Sequence, residues 1–317
     1  MDLLLTVFLA LAALLAVLAL FTWFVARRIA AHFRAPGQWM EVDGERLHYR
    51  SFGEGPPIVL VHGLAGESRN FDYLPLAELA RRWRLVLVDR PGSGHSPRRD
   101  PVNASIARQA RLVAGFIRAM DFDRPPLLVG HSLGGAIALS VALQEPHCIA
   151  GLGLIAPLTH FDPRVPRPFR AMAIRRPWLR RLFAHTLSVP VAIANTPAVL
   201  AALFGPDPAP RDFALRGGGL MSLRPAAFIA ASEDMRAVEE SLVPQQQCYG
   251  QVQVPVHILY GEGDRVLDWR EQGEAAREEI PGAQLEVIPG GHMIPVTAAA
   301  RTAAWLEATA RAVHGVL

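Results

Sequence analysis

The chain has 317 residues, 51% of them hydrophobic, and a formal net charge of +3 at pH 7. That size and apolar content suit one large core with an additional membrane span. The modest charge, with no long basic run and no nucleic-acid motif, excludes DNA or RNA as an expected partner. The two cysteines, Cys148 and Cys248, lie far apart without metal-ligand spacing, so no metal site is expected.

Leu3 to Ala26 contains no charged residue and is rich in Leu, Ala, Val and Phe. At 1.5 Å per residue it reaches about 36 Å, enough to cross a hydrocarbon layer of about 30 Å with some tilt. A secretory signal would begin with positive charge and hold a shorter apolar stretch. Here Asp2 precedes the run and arginines follow it, so residues 1–26 are expected to be an uncleaved transmembrane anchor. Trp23 suits an interfacial position. Residues 27–38 read as a juxtamembrane connector: either a continued helix with its arginines near head groups, or a solvated segment. Ala35-Pro36-Gly37 marks a break before the next domain. Arg27, Arg28 and Arg34 flank the span on one side, and the positive-inside rule places the following domain on the cytoplasmic face of a bacterial membrane. The span lacks a GxxxG pair, but its alanines permit close helix contact, so a homodimer through the anchor stays open.

From residue 39 onward short β-type runs alternate with helical patterns. Two leading strands, around Trp39–Val42 and Arg46–Phe52, are joined by a turn at Asp43-Gly44. Ile58–Val61 then leads into His62-Gly63-Leu64-Ala65-Gly66, followed by a helix near Tyr73–Arg82. Leu85–Val88 leads into Asp89 and a Pro/Gly-rich turn reaching Ser96, followed by a helix near Ser105–Met120. Leu127–Val129 leads into Gly130-His131-Ser132-Leu133-Gly134 and a helix, and an apolar strand follows through Ile149–Ile155. Over 157–251 the sheet pattern stops, and helix-like segments alternate with Pro-rich and Gly-rich joints. The sheet resumes with Val256–Tyr260, ending in Asp264, then a helix near Asp268–Ile280. Leu285–Ile288 leads into Gly290-Gly291-His292, and a helix near Val296–Val313 closes the chain. The expected organisation is an α/β core in two parts, 39–156 and 252–317, with a mostly parallel sheet and a mainly helical cap inserted between them.

Each polar cluster follows a strand, where an open α/β sheet places its chemistry. Gly130-His131-Ser132-Leu133-Gly134 is a G-x-S-x-G between strand and helix, the context of a nucleophile turn that lifts a serine hydroxyl off the end of a strand. With the order Ser132…Asp264…His292, the chain from about Met40 resembles an α/β-hydrolase of the serine esterase/lipase type. The resemblance implies Ser132 as nucleophile, His292 as its base and Asp264 as the acid that fixes the imidazole. It implies oxyanion donors at the backbone N–H groups of Leu64 and Leu133, with His62, Gly63, Gly130, His131 and Gly134 as supporting motif residues. His62 reads as a brace for the oxyanion loop rather than the base, and His95 as part of a structural turn. Asp268 is the alternative acid, although its place at a helix start also suggests an N-cap. No cofactor is implied. Apolar cap residues such as Leu182, Phe183, Leu187, Leu203 and Phe204 either line an acyl pocket or form the cap's own core.

An anchored hydrolase gains most from its anchor when its substrate partitions into the membrane. The arrangement is similar to single-pass lipases of this superfamily and implies a lipid acyl-ester substrate in the bilayer: phospholipid, lysophospholipid or monoacylglycerol. A serine-dependent C–C bond hydrolase or a cofactor-free haloperoxidase would use the same triad. A lipid-binding module with an idle triad is the non-enzyme alternative.

Overall fold

The computed structural model describes residues 2–164 and 167–315; the outermost ends of the expected anchor and of the second core part fall outside these, as do residues 165–166 of the expected cap. Helix α1 (Asp2–His32) is long and apolar enough to cross a membrane. It runs unbroken through Arg27 and Arg28, so residue 26 is not a structural boundary. Nothing in Arg27–His32 breaks a helix, and the first proline after the apolar run is Pro36. Of the two forms expected for the connector, the structure takes the helical one as far as His32 and leaves residues 33–37 outside any helix.

Strands β1 (Gln38–Val42) and β2 (Glu45–Phe52) form a hairpin whose turn residues Asp43 and Gly44 have φ of 47° and 81°, the positive pair a tight two-residue hairpin demands. There follow β3 (Pro57–Val61), the one-turn helix α2 (Leu76–Leu79), β4 (Arg84–Val88), α3 (Ile106–Ala119), β5 (Leu127–His131), α4 (Leu133–Gln144) and β6 (Gly151–Ile155). The cap holds α5 (Pro177–Thr186), α6 (Ser188–Phe204) and α7 (Pro225–Gln246), with no strand among its described residues. The core resumes with β7 (Val256–Gly261), α8 (Ala275–Glu279), β8 (Gln284–Ile288), α9 (Ile294–Thr297) and α10 (Ala299–His314).

Three helices differ from the sequence expectation. The one placed over Tyr73–Arg82 shrinks to α2, because Arg81 and Arg82 donate to carbonyls three residues back and tighten the chain into turns. The one over Asp268–Ile280 begins as a π turn at Arg270–Glu274 before α8. The last is split into α9 and α10 at Ala298, whose φ of −118° and ψ of 38° are not helical.

The eight strands lie in the order β1-β2-β4-β3-β5-β6-β7-β8, with β1 and β2 antiparallel to their neighbours and the rest parallel. The central strands are buried on both faces. Val59, Val61, Val86 and Val88 pack with Phe116 and Ile137 on one side, while Ile58, Leu60, Leu85 and Leu87 meet Trp305 and Leu306 on the other. This double burial explains why these strands read as continuous apolar runs rather than alternating ones. After β3 the chain adds β4 on one side and β5 on the other, so the order reverses between β3 and β5. Open α/β sheets bind their ligands at the carboxyl ends of strands at such a switch point.

Candidate active site

Ser132 joins β5 to α4 with φ 54° and ψ −120°, a conformation that costs a non-glycine residue energy. Its surroundings require the flanking glycines. A Cβ on Gly130 would meet the Gly134 carbonyl oxygen at 2.3 Å, and one on Gly134 would meet the Val61 oxygen at 2.3 Å. The turn is pinned by Ser132 N–H donating to Ile155 O (3.0 Å) and Gly135 N–H donating to Ser132 O (2.8 Å). Leu133 is the first residue of α4, so its N–H has no intrahelical partner and stays available to an anion.

The loop after β3 lies against this turn. A Cβ on Gly63 would come within 2.8 Å of Ser132 Cβ and 3.3 Å of its Oγ. Only glycine lets the loop carrying Leu64 approach the serine so closely. Ala65 in the same loop has φ 52°, a second strained position beside the first.

Asp264 follows β7 and His292 follows β8, and the two loops are tied by Gly263 N–H donating to Gly290 O (2.9 Å). His292 Nδ1 lies 2.7 Å from Asp264 Oδ2, with both side chains almost wholly buried. Asp264 Oδ1 accepts from the N–H groups of Val266 (2.8 Å) and Leu267 (3.0 Å). A carboxylate held by two N–H groups fixes Nδ1 as the protonated nitrogen and leaves Nε2 as a base. Asp268 instead accepts from Arg270 N–H at 2.8 Å, the capping role that was its alternative.

His131 links the serine turn to the histidine loop. Its Nε2 donates to the His292 carbonyl (3.1 Å), and the two rings lie 5.0 Å apart. Burial, with His292 beside it, pushes the His131 ring down to about 3, so it stays neutral. His62 is likewise pushed down to about 3, by burial and then by Arg90. Arg90 N–H donates to its Nε2 (3.0 Å), so Nδ1 carries the proton and donates to Gly63 O (2.9 Å). His62 thus braces its own loop from within. His95 packs on His48 and donates its backbone N–H to Asp89 (2.9 Å), away from His292.

Sequence reasoning missed the group that organises this loop, Arg90. Its guanidinium, fully buried, donates to the carbonyls of His62 (3.0 Å) and Gly63 (2.7 Å), to Gln109 (2.7 Å) and to Asp234 on α7 (2.8 Å). Asp234 also accepts from Arg98 and from Gln109 (3.1 Å). One buried ion pair therefore joins the loop after β3 to the cap. Burial lowers the Arg90 pKa while Asp234 opposes that shift. The Asp89-Arg90-Pro91-Gly92 turn was a visible signal for Arg90, but nothing in the sequence marked Asp234.

Glu67 was missed as well. It is 2% exposed, and burial together with Asp89 pushes its carboxyl up to about 7. Arg69, whose Nη1 lies 3.4 Å from Glu67 Oε1, stacks on Phe33 at the end of α1. Among the described residues no group of three His, Cys, Asp or Glu side chains is placed to hold a metal ion.

The family model for the alpha/beta hydrolase fold matches residues 56–299, and the chain belongs to that family. It is similar to an uncharacterised protein of Mycobacterium tuberculosis (strain ATCC 25618 / H37Rv), 28% identical over 280 residues covering 81% of this chain and 76% of that one. Among solved structures it is similar to an esterase from Exiguobacterium antarcticum, with TM-score 0.71 and 20% identity over 87% of this chain and 100% of that one. It is also similar to a membrane phospholipase A described as a bacterial virulence factor, with TM-score 0.63 and 22% identity over 96% of both chains. At these identities the structural likeness shows the fold.

Asp234→Ala leaves the buried Arg90 charge unpaired and should destabilise the protein by about 3–5 kcal/mol, read as a fall in the denaturant midpoint. Glu67 has a raised pKa in the folded state, so it binds more protons folded than unfolded between about 4.5 and 7. Its contribution is present below 4.5 and lost as pH rises toward 7, a loss of the order of 3 kcal/mol. Unfolding of wild type and Glu67→Gln at pH 4 and 7.5 should therefore show the variant gaining on wild type at the higher pH.

Proposed function

We propose that this chain is a membrane-anchored serine hydrolase that cleaves fatty-acyl esters of membrane lipids, of phospholipase A, lysophospholipase or monoacylglycerol lipase type. Ser132 attacks the ester carbonyl as His292 Nε2 takes its proton. The N–H groups of Leu64 and Leu133 receive the oxyanion. His292 then protonates the leaving alcohol, and water hydrolyses the acyl-enzyme by the same base. Asp264 holds the imidazole tautomer throughout.

The observation that carries the lipid assignment is the packing of α1 directly on the cap, with Thr22 Oγ1 donating to Thr186 O at 2.8 Å. A helix that merely tethered a soluble domain would need no such contact. The likeness to a membrane phospholipase A over 96% of the chain supports the same reading.

Released fatty acid should be quantified for wild type and Ser132→Ala on phospholipid, lysophospholipid and monoacylglycerol vesicles and on a short soluble ester. Wild type should prefer the lipids, and the variant should lose about 10⁴-fold or more of the rate. Turnover of the soluble ester alone would remove the lipid assignment, and release untouched by the substitution would overturn the mechanism.

A further inference from the structure

We propose that the elbow between α5 and α6, together with the first half of α6, lies in the hydrocarbon of the bilayer beside α1 and touches lipid acyl chains directly. The inference rests on the reading of α1 as a membrane span.

Depth along α1 carries the argument. From Leu3 to Leu14 the side chains are exposed. From there a stripe turns inward at helical spacing: Leu15, Leu18 and Ala19 are half-buried, Thr22 is buried, and Val25, Ile29 and Phe33 pack on Leu220, Met221 and Leu223. The neighbours that cover the stripe are α5, α6 and the 3₁₀ turn Gly219–Leu223. The exposed part, Leu3–Leu14, reaches only about 18 Å along the axis, against about 30 Å of hydrocarbon. If α1 crosses the bilayer, part of its protein-covered stripe must lie inside it. Arg27 and Arg28 fix the same limit from the other end. Thr22, bonded to the elbow residue Thr186, stands about 7 Å beyond Arg27 on the apolar side.

The elbow's surface is mostly apolar, with the exposed His185 beside Thr186 as its one titratable side chain. Helix α6 has no charged residue from Ser188 to Phe204, and Leu187 and Ile193 expose 36% and 51% of their surface. The helices meet at 78°, which makes the elbow a tip. Its hydroxyls are satisfied internally: Thr186 donates to Leu182 O, Ser188 to Ala184 O and Thr196 to Ala192 O. That removes the cost an unpaired hydroxyl would meet in lipid. The exposed arginines gather at the other end of α5, at Arg175 and Arg176, about 15 Å from the elbow, with exposed Trp178 beside them as an interfacial aromatic would be. Arg181 stands between these levels, where a long side chain reaches head groups.

The test uses the full chain in phosphatidylcholine–phosphatidylglycerol vesicles, with Cys148 and Cys248 replaced by serine and a single bimane label at Ile193→Cys or Val17→Cys. Both positions are exposed, so neither substitution disturbs the core. A nitroxide on the lipid acyl chain should quench both labels several-fold more strongly than aqueous iodide. Iodide quenching at 193 with lipid quenching at 17 would overturn the inference and leave the anchor intact. Quenching by neither reagent at 193 would mean that protein, such as a second copy, covers the elbow, and would also overturn it. Iodide quenching at both positions would overturn the anchor reading and the inference with it.

Discussion

The loop after β3 and the cap both depend on one buried guanidinium. Arg90 is the only charged group among the described residues that bonds the carbonyls of His62 and Gly63, and its charge is balanced from the cap by Asp234. A buried arginine is tolerated only when its donors are used and its charge is met, so the loop geometry and the seating of α7 are set together. Arg98 extends the arrangement to Glu233, and Arg180 on α5 meets the same carboxylate at 3.2 Å. The path thus continues from the loop beside Ser132 to the helix that touches α1.

Close backbone approach is the second constraint, and it explains which residues stand around the serine. Gly63, Gly130 and Gly134 each face a neighbour that a side chain would strike. Their common cause is the switch point between β3 and β5, where two loops and a helix start converge on one spot. Two of the non-glycine residues with positive φ, Ser132 and Ala65, stand at this place, and the rigid sheet beneath holds them there. His131 adds a cross-link from the serine turn to the histidine loop while remaining uncharged, so it orients His292 without competing for the Asp264 carboxylate.

The sheet was legible from sequence because strands buried on both faces leave continuous apolar runs, and the loops after them end in conspicuous glycines and polar groups. Positions of Ser132, Asp264 and His292 followed from that punctuation. Asp234 and Glu67 were not legible. Each matters through what lies opposite it in space, and an acidic residue in a cap helix or after a glycine reads like any solvated one. The extent of α1 was only half visible: hydropathy stops at the arginines, but helix formation does not, because arginine is a good helix former and no breaker intervenes. The broken helices near Tyr73 and Val296 were read as continuous because turn-like tightening and the single twist at Ala298 leave no mark in apolar spacing.

The same geometry gives α6 two ends with different duties. Its C-terminal residues Leu203 and Phe204 meet the histidine loop, through Met293 N–H donating to Leu203 O at 3.2 Å and through packing of Phe204 on Met293 and Val296. Its N-terminal end adjoins α1. A helix of this length covers about 25 Å, so one continuous element reaches from the neighbourhood of α1 to the residue next to His292. Between those ends α6 carries no charged side chain from Ser188 to Phe204. On the proposed reading, the helix that anchors the chain also packs on the cap helix that meets the His292 loop.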